Sequence, residues 1–209
     1  MKAKQSVLRF AIPIALAAIG ALAIAGCNDA QVTNVWQDRS FHGGIRRVMV
    51  VSRDRDPASR RIWEDALRAQ MMKDGVEAHA SYESFPESAP SRSEMTAALS
   101  QQNLDAALIL KPMPGALETS WVPGYTTTEP SIDYNPWANR QVVVYHDRHH
   151  PGYRVTEEYE RQQVTMWTAD GGGHMIWAGT VLIPAGSDER VSNELADGVV
   201  PEMKKAGLI

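Results

Sequence analysis

Val48-Met49-Val50-Val51 is an apolar run with no alternation, as a strand covered on both faces requires. Asp56-Pro57 follows, an N-cap acid with proline in the first turn. Ile62, Trp63, Ala66, Leu67 and Met71 then recur at helical spacing, and Gly75 closes the helix. Val76, Ala78, Ala80 and Tyr82 alternate, so residues 76–82 read as a half-buried strand. Ser91 with Glu94 three residues on forms a capping-box pattern, and Met95, Ala98, Leu99 and Gln102 give the next helix one face. Ala106–Leu110 is a second buried run. The order β-α-β-α-β demands helices layered on a sheet.

The second half reads differently. Residues 111–139 hold prolines at 112, 114, 123, 130 and 136, which predicts a loop. Val142–Tyr145 reads as a strand. Arg154–Thr168 and His174–Ile183 flank Ala169-Asp170-Gly171-Gly172-Gly173, a hairpin pattern, with broken alternation in the first strand that suggests a bulge. Ser187 caps a last helix with Val191, Leu195, Val199 and Met203 on one face; Pro201 predicts a kink or an early end, and Gly207 a stop. Pro123-Gly124-Tyr125 and Pro151-Gly152-Tyr153 repeat a dipeptide suited to type II turns. The expected fold is α/β (or α+β): one domain of two or three layers over residues 45–209. It has a mixed sheet and about three helices, ordered β-α-β-α-β, then a β-hairpin and a C-terminal helix.

With 44% apolar residues in 209, the chain has the composition of a globular protein. Its formal charge of −4 argues against nucleic-acid binding. One cysteine excludes an internal disulfide and a multi-cysteine zinc site.

The amino terminus carries Lys2, Lys4 and Arg9 and no acid, then an apolar run from Phe10 to Ala25. Its 16 residues, with Pro13 among them, fall short of the roughly 20 that a spanning helix needs. A basic start, a short apolar run and small residues before a cut site make a secretory signal. Ile24-Ala25-Gly26-Cys27 resembles the lipobox of bacterial lipoproteins. The resemblance implies cleavage between Gly26 and Cys27, acylation of the Cys27 thiol and a lasting hold on a lipid bilayer, since two or more acyl chains anchor where one does not. Residues 1–26 are then a lipoprotein signal peptide, and 27–44 a lipidated cysteine with a tether, containing a short strand at Val32–Trp36. Asn28 stands where Asp would retain an enteric lipoprotein in the inner membrane, so the resemblance points to the periplasmic side of the outer membrane. Removing residues 1–26 takes three bases and no acid. That leaves 18 bases against 25 acids, a formal −7.

Several groups of residues bear on chemistry. His146-Asp147-Arg148-His149-His150 puts imidazoles and a carboxylate within five residues, a pattern that fits either zinc or copper ligation or a solvated loop between strands. Arg46, Arg47, Arg53, Arg55, Arg60 and Arg61 can bind an anion or pair with the interleaved Asp54, Asp56, Glu64 and Asp65. The Ser52–Pro57 turn has no glycine, so a dinucleotide cradle is excluded there. Trp121, Tyr125, Tyr134 and Trp137 lie in the proline-rich segment, where aromatics suit a protein interface or a loop pinned over its own sheet.

Val35-Trp36-Gln37-Asp38, Arg46–Val51, Arg60-Arg61 with Trp63-Glu64-Asp65, Val122-Pro123-Gly124-Tyr125, Trp177-Ala178-Gly179-Thr180 and Gly207-Leu208-Ile209 together resemble uncharacterised small envelope lipoproteins of proteobacteria. The architecture is also similar to penicillin-binding-protein activator lipoproteins and to the amino-terminal domain of the Tol translocation protein. The resemblance supplies no enzymatic activity to carry over, and the expectation is a protein that is not an enzyme and has no cofactor. The function expected is a membrane-anchored, non-enzymatic module that binds a protein partner in the envelope. The alternative is a metal-assisted hydrolase of envelope material using His146, His149 and His150; a third reading is a small-ligand binder.

Overall fold

The computed structural model describes residues 30–209. Eight strands and three helices follow in order: β1 (Gln31–Gln37), β2 (Arg47–Ser52), α1 (Pro57–Lys73), β3 (Glu77–Ala80), α2 (Arg92–Gln101), β4 (Ala106–Val122), β5 (Tyr125–Asn135), β6 (Arg140–His150), β7 (Tyr153–Thr168), β8 (Met175–Pro184) and α3 (Asp188–Lys205). The main sheet is mixed, ordered β1-β8-β7-β4-β2-β3. β3, β2 and β4 run parallel, and the β4-β7, β7-β8 and β8-β1 pairs are antiparallel. The expected α/β class is what the chain adopts, with three layers.

Both faces of β2 are covered, as its unbroken apolar run requires. Val48 and Val50 join α1 residues Trp63, Leu67 and Met71 and α3 residues Val191, Leu195, Val199 and Met203 in the larger core. Met49 and Val51 face the other way and join Met95, Ala98 and Leu99 of α2. Burying each such aliphatic side chain stabilises the fold by about 1.5–3 kcal/mol. The starts of α1 and α2 are built as the sequence predicts, whereas Ser187 stands at the N-cap position of α3 without a side-chain capping hydrogen bond. The Asp56 carboxylate accepts from the amides of Ala58 at 2.9 Å and Ser59 at 2.8 Å, and those bonds hold its pKa below the usual value. Ser91 and Glu94 form a reciprocal capping box. Gly75 and Gly207 adopt φ of +82° and +70°, the left-handed conformation that ends a helix.

A buried polar cluster pins α1 to β2 and β3. The Glu64 side chain is fully inaccessible, and its Oε1 accepts from the Ser52 amide at 2.9 Å, Arg60 Nε at 3.1 Å and the Ser81 hydroxyl at 2.7 Å. Its Oε2 accepts from the Tyr82 amide at 2.9 Å. The Arg60 guanidinium also donates to the Phe85 carbonyl and the Ser81 hydroxyl, both at 2.8 Å. Every polar end of the pair is matched, the condition under which a buried ion pair is tolerated.

Four expectations are corrected. The strand foreseen at Val32–Trp36 exists as β1, but it pairs with β8 as the edge of the main sheet, so that part of the supposed tether belongs to the domain. The strand expected over 76–82 is shorter: β3 ends at Ala80, and Ser81–Glu83 form a single 3₁₀ turn. α3 does not end early at Pro201 but continues to Lys205. The carbonyl that loses its donor belongs to Asp197, on the solvent side of that helix, where water can satisfy it. The largest correction concerns residues 111–139, which are mostly strand rather than loop.

Candidate interaction arm

β4 and β7 run on beyond the sheet. Past Lys111 and Tyr159 they pair only with each other, Ala116 opposite Tyr159 through Val122 opposite Tyr153. β5 and β6 continue that ribbon, pairing from Tyr125 with His150 to Asn135 with Arg140. The result is a long two-stranded arm whose tip is the turn at 136–139. Prolines are compatible with it because each strand of a ribbon has one edge open to solvent, where a missing N–H breaks no ladder. The β-bulge expected in residues 154–168 is instead on the partner strands: at the arm's root β4 advances from Met113 to Ala116 while β7 moves only from Arg161 to Tyr159, and β8 carries the extra residue opposite Met166 and Trp167.

The two Pro-Gly-Tyr segments meet at the arm's waist. They are not type II turns, since neither Gly124 nor Gly152 has positive φ. Their backbones pass so closely that a Cβ on Gly124 would stand 2.6 Å from the His150 carbonyl oxygen and 2.8 Å from the Gly152 nitrogen. One on Gly152 would stand 2.8 Å from the Val122 oxygen and collide with the Trp121 ring. Just beyond, Tyr125 and His150 stack with centroids 4.6 Å apart and planes 15° from parallel.

Strand alternation sorts the outer arm into two unlike faces. One carries Glu129, Asp133, His146 and Arg148 together with the half-buried Val142 and Val144, with Arg148 Nη1 3.5 Å from Glu129 and His146 Nε2 3.8 Å from Asp133. The other carries Pro130 opposite Tyr145, Ile132 opposite Val143, and Tyr134 opposite Gln141. Ile132 and Tyr145 are each 69% exposed, and Trp137 at the tip is 97% exposed. Among the described residues, nine of the thirteen exposed large hydrophobic side chains are on this arm, so exposure is concentrated there rather than scattered.

The sequence candidates can now be placed. Trp121, Tyr125, Tyr134 and Trp137 are all on the arm and all exposed, which removes the alternative of a loop pinned over its own sheet. Sequence reasoning missed Ile132, Val143 and Tyr145, which complete the apolar face; Val142–Tyr145 reads as a strand, but its unbroken apolar run does not say which side chains share that face. The histidines lie in strand β6, not in a loop. His146 and His150 share one face and His149 points to the other, 3.4 Å from the Thr126 hydroxyl. No group of three or more His, Cys, Asp or Glu among the described residues is placed to hold a metal. Gly26 and Cys27 lie outside the described residues. Among those residues no helix is long and apolar enough to cross a membrane.

The arginines divide by environment. Arg60 is consumed by Glu64, and Arg47 pairs with Asp105 at 3.2 Å. Arg61 lies 5.7 Å from the centre of the Tyr82 ring. Arg53 and Arg55 form no side-chain hydrogen bond or ion pair within the described residues.

The chain is thus a mixed α/β domain bearing a two-stranded arm. No protein-family model matches it, and no curated protein matches it. Among solved structures it is similar to the PelC dodecamer from Paraburkholderia phytofirmans. A point-substituted form in one crystal is 10% identical, with a TM-score of 0.44 over 82% of this chain and 96% of that one. A second crystal gives 12% identity and a TM-score of 0.42 over 82% and 94%. A PDZ domain protein from Parabacteroides distasonis is 11% identical, with a TM-score of 0.38 over 80% of this chain and 34% of that one. Likenesses this loose transfer no property.

Proposed function

We propose that this chain is a lipid-anchored, non-enzymatic module of a bacterial cell envelope that grips a protein partner with its arm. The observation that carries the reading is the apolar face of Ile132, Tyr134, Val143 and Tyr145, capped by Trp137 and backed by no second sheet. A free two-stranded ribbon is marginal in water, and aromatic anchors of this kind dominate binding energy where proteins meet. The lipobox resemblance at Cys27 supports attachment to a bilayer, with the outer membrane favoured by Asn28. The histidines of β6, divided between two faces, lend no support to the hydrolase alternative.

The test is photocrosslinking in cells from the full chain, with the reactive group at Trp137 or Tyr134 and, as control, at Met72 on α1, which is 58% exposed. A discrete adduct from the arm and none from Met72 is expected. Equal capture from both positions, or none from the arm, overturns the reading. For the anchor, Cys27→Ala abolishes fatty-acid labelling and membrane fractionation; retention of either refutes attachment through that thiol.

A further inference from the structure

α2 covers only part of its side of the sheet. Where that cover ends, a cavity of about 850 Å³ opens, within the range of small-molecule sites. Its apolar lining comes from Met95 and Leu99 of α2, Ala107 and Ile109 of β4, Trp167 of β7 and Met175 of β8. The Trp167 indole is fixed by its Nε1–H, which donates to the Thr165 hydroxyl at 3.0 Å.

Its charge is of one sign. Arg53, Arg55, Arg92 and Lys111 line it against a single acid, Asp54, in a chain whose net charge is −4. Three of these cations cluster at the carboxyl end of β2: Ser52 pairs with Leu110, and the Arg53 amide donates to the Leu110 carbonyl at 2.9 Å, which brings Lys111 beside Arg53. That end of parallel strands is where open α/β sheets place ligands. Arg92 donates to the Gly172 carbonyl at 2.9 Å and ties α2 to the β7–β8 turn. The side chains of Arg53, Arg55 and Lys111 make no hydrogen bond or ion pair within the described residues. Arg47, Arg60 and Arg68 are each matched to an acid. Here three cations stand together without an acid partner beside an apolar hollow.

We infer that this cavity binds a single-chain amphiphile with an anionic head, a carboxylate or a phosphate. The alkyl chain lies over Ile109, Trp167 and Met95, and the head is held by Arg53, Arg55 and Lys111. A purely apolar ligand leaves the cations unused, and a compact polar anion leaves the floor wet; one molecule with both ends satisfies both. The site depends on neither the arm nor the anchor.

The test uses a lysate of cells making the full chain, cleared of ATP and coenzyme A so that probes are not esterified. Three photoreactive sixteen-carbon probes are compared: a carboxylate, a phosphate monoester and a neutral alcohol. At least one anionic probe labels the chain saturably, with adducts on peptides carrying Met95, Ile109 or Trp167; which head works identifies the source of the ligand. The double variant Arg53→Gln/Arg55→Gln lowers that labelling about tenfold, the loss of one or two charge-assisted contacts. Both positions are exposed, and an unchanged melting curve excludes misfolding. Thr165→Phe, which fills the floor and removes the hydroxyl that holds Trp167, also blocks labelling. Equal labelling by the alcohol, adducts outside the cavity, or a double variant that labels like the parent overturns the inference.

Discussion

Gly124 and Gly152 face each other across the waist of the arm so closely that the nitrogen of one lies 2.8 Å from where a Cβ on the other would be. This approach lets two separate strand pairs act as one projecting body. Substituting Gly124→Val pushes against the His150 carbonyl and the Gly152 nitrogen, backbone atoms that cannot swing aside. Overpacking of this kind costs about 1–3 kcal/mol, and here it falls on the arm alone. Limited proteolysis is expected to cut at 122–125 or 150–153 in the variant and not in the parent, while the melting midpoint of the domain is preserved.

The outer apolar face is expected to matter for capture and not for folding. Ile132→Asp with Tyr145→Asp alters two exposed positions, where stability effects stay within about 0.5 kcal/mol. Partner capture in the crosslinking assay should fall at least about tenfold, because truncating one interface anchor typically costs 2 kcal/mol or more. Loss of folding in place of capture would make the face part of the core.

Glu64→Gln is expected to be among the most damaging single changes. It leaves the Arg60 guanidinium buried without its counter-charge, at a cost of about 3–5 kcal/mol, read as a lower urea midpoint. Replacing both residues by apolar ones recovers only part of that loss. The amides of Ser52 and Tyr82 would still be buried without the acceptor that Glu64 supplies.

Two carboxylates give opposite pH signatures. Burial pushes Asp105 up, but the amides of Arg46 and Arg47 and the Arg47 guanidinium outweigh it and hold its pKa below the usual carboxylate value. Its contribution is complete above that usual value and is lost as pH falls through the lower folded one. Asp105→Asn should therefore destabilise at neutral pH and match the parent in strong acid. Burial, reinforced by the charge of Asp188, raises Glu160. A raised acid loses stability as pH climbs from its ordinary value to the folded one, so Glu160→Gln should stabilise at neutral pH and change nothing in acid. Urea titrations of both variants across the acid range check the two signs.

The first half was legible because each element there is decided locally. Asp56, Pro57 and Gly75 mark the ends of α1, Ser91 and Glu94 start α2, and the unbroken run Val48–Val51 announces a strand between two layers. The arm was hidden because its evidence is not local. Pro112, Pro114 and Pro130 argue for loop in any window, and only the pairing of 106–135 with 140–168 shows that they sit where a ribbon has an open edge. The His146–His150 cluster was misplaced for the same reason: once Val142–Tyr145 extends to His150, alternation separates the imidazoles. The cavity was half-visible. Arg53 and Arg55 stand out in the sequence, but that Arg60, six residues from Asp54, is spent inside the core while they are not depends on where Glu64 points.

Within its strands the prolines of the arm fall on one rail, and Pro151 lies in the link between β6 and β7. Pro112, Pro114 and Pro130 belong to β4 and β5, whereas no residue of β6 or β7 is proline. A bare ribbon with two receptive borders can template copy after copy into a fibre. On this arm the border of β4 and β5 lacks an N–H at each of its three prolines, so it offers an incoming strand only an interrupted ladder.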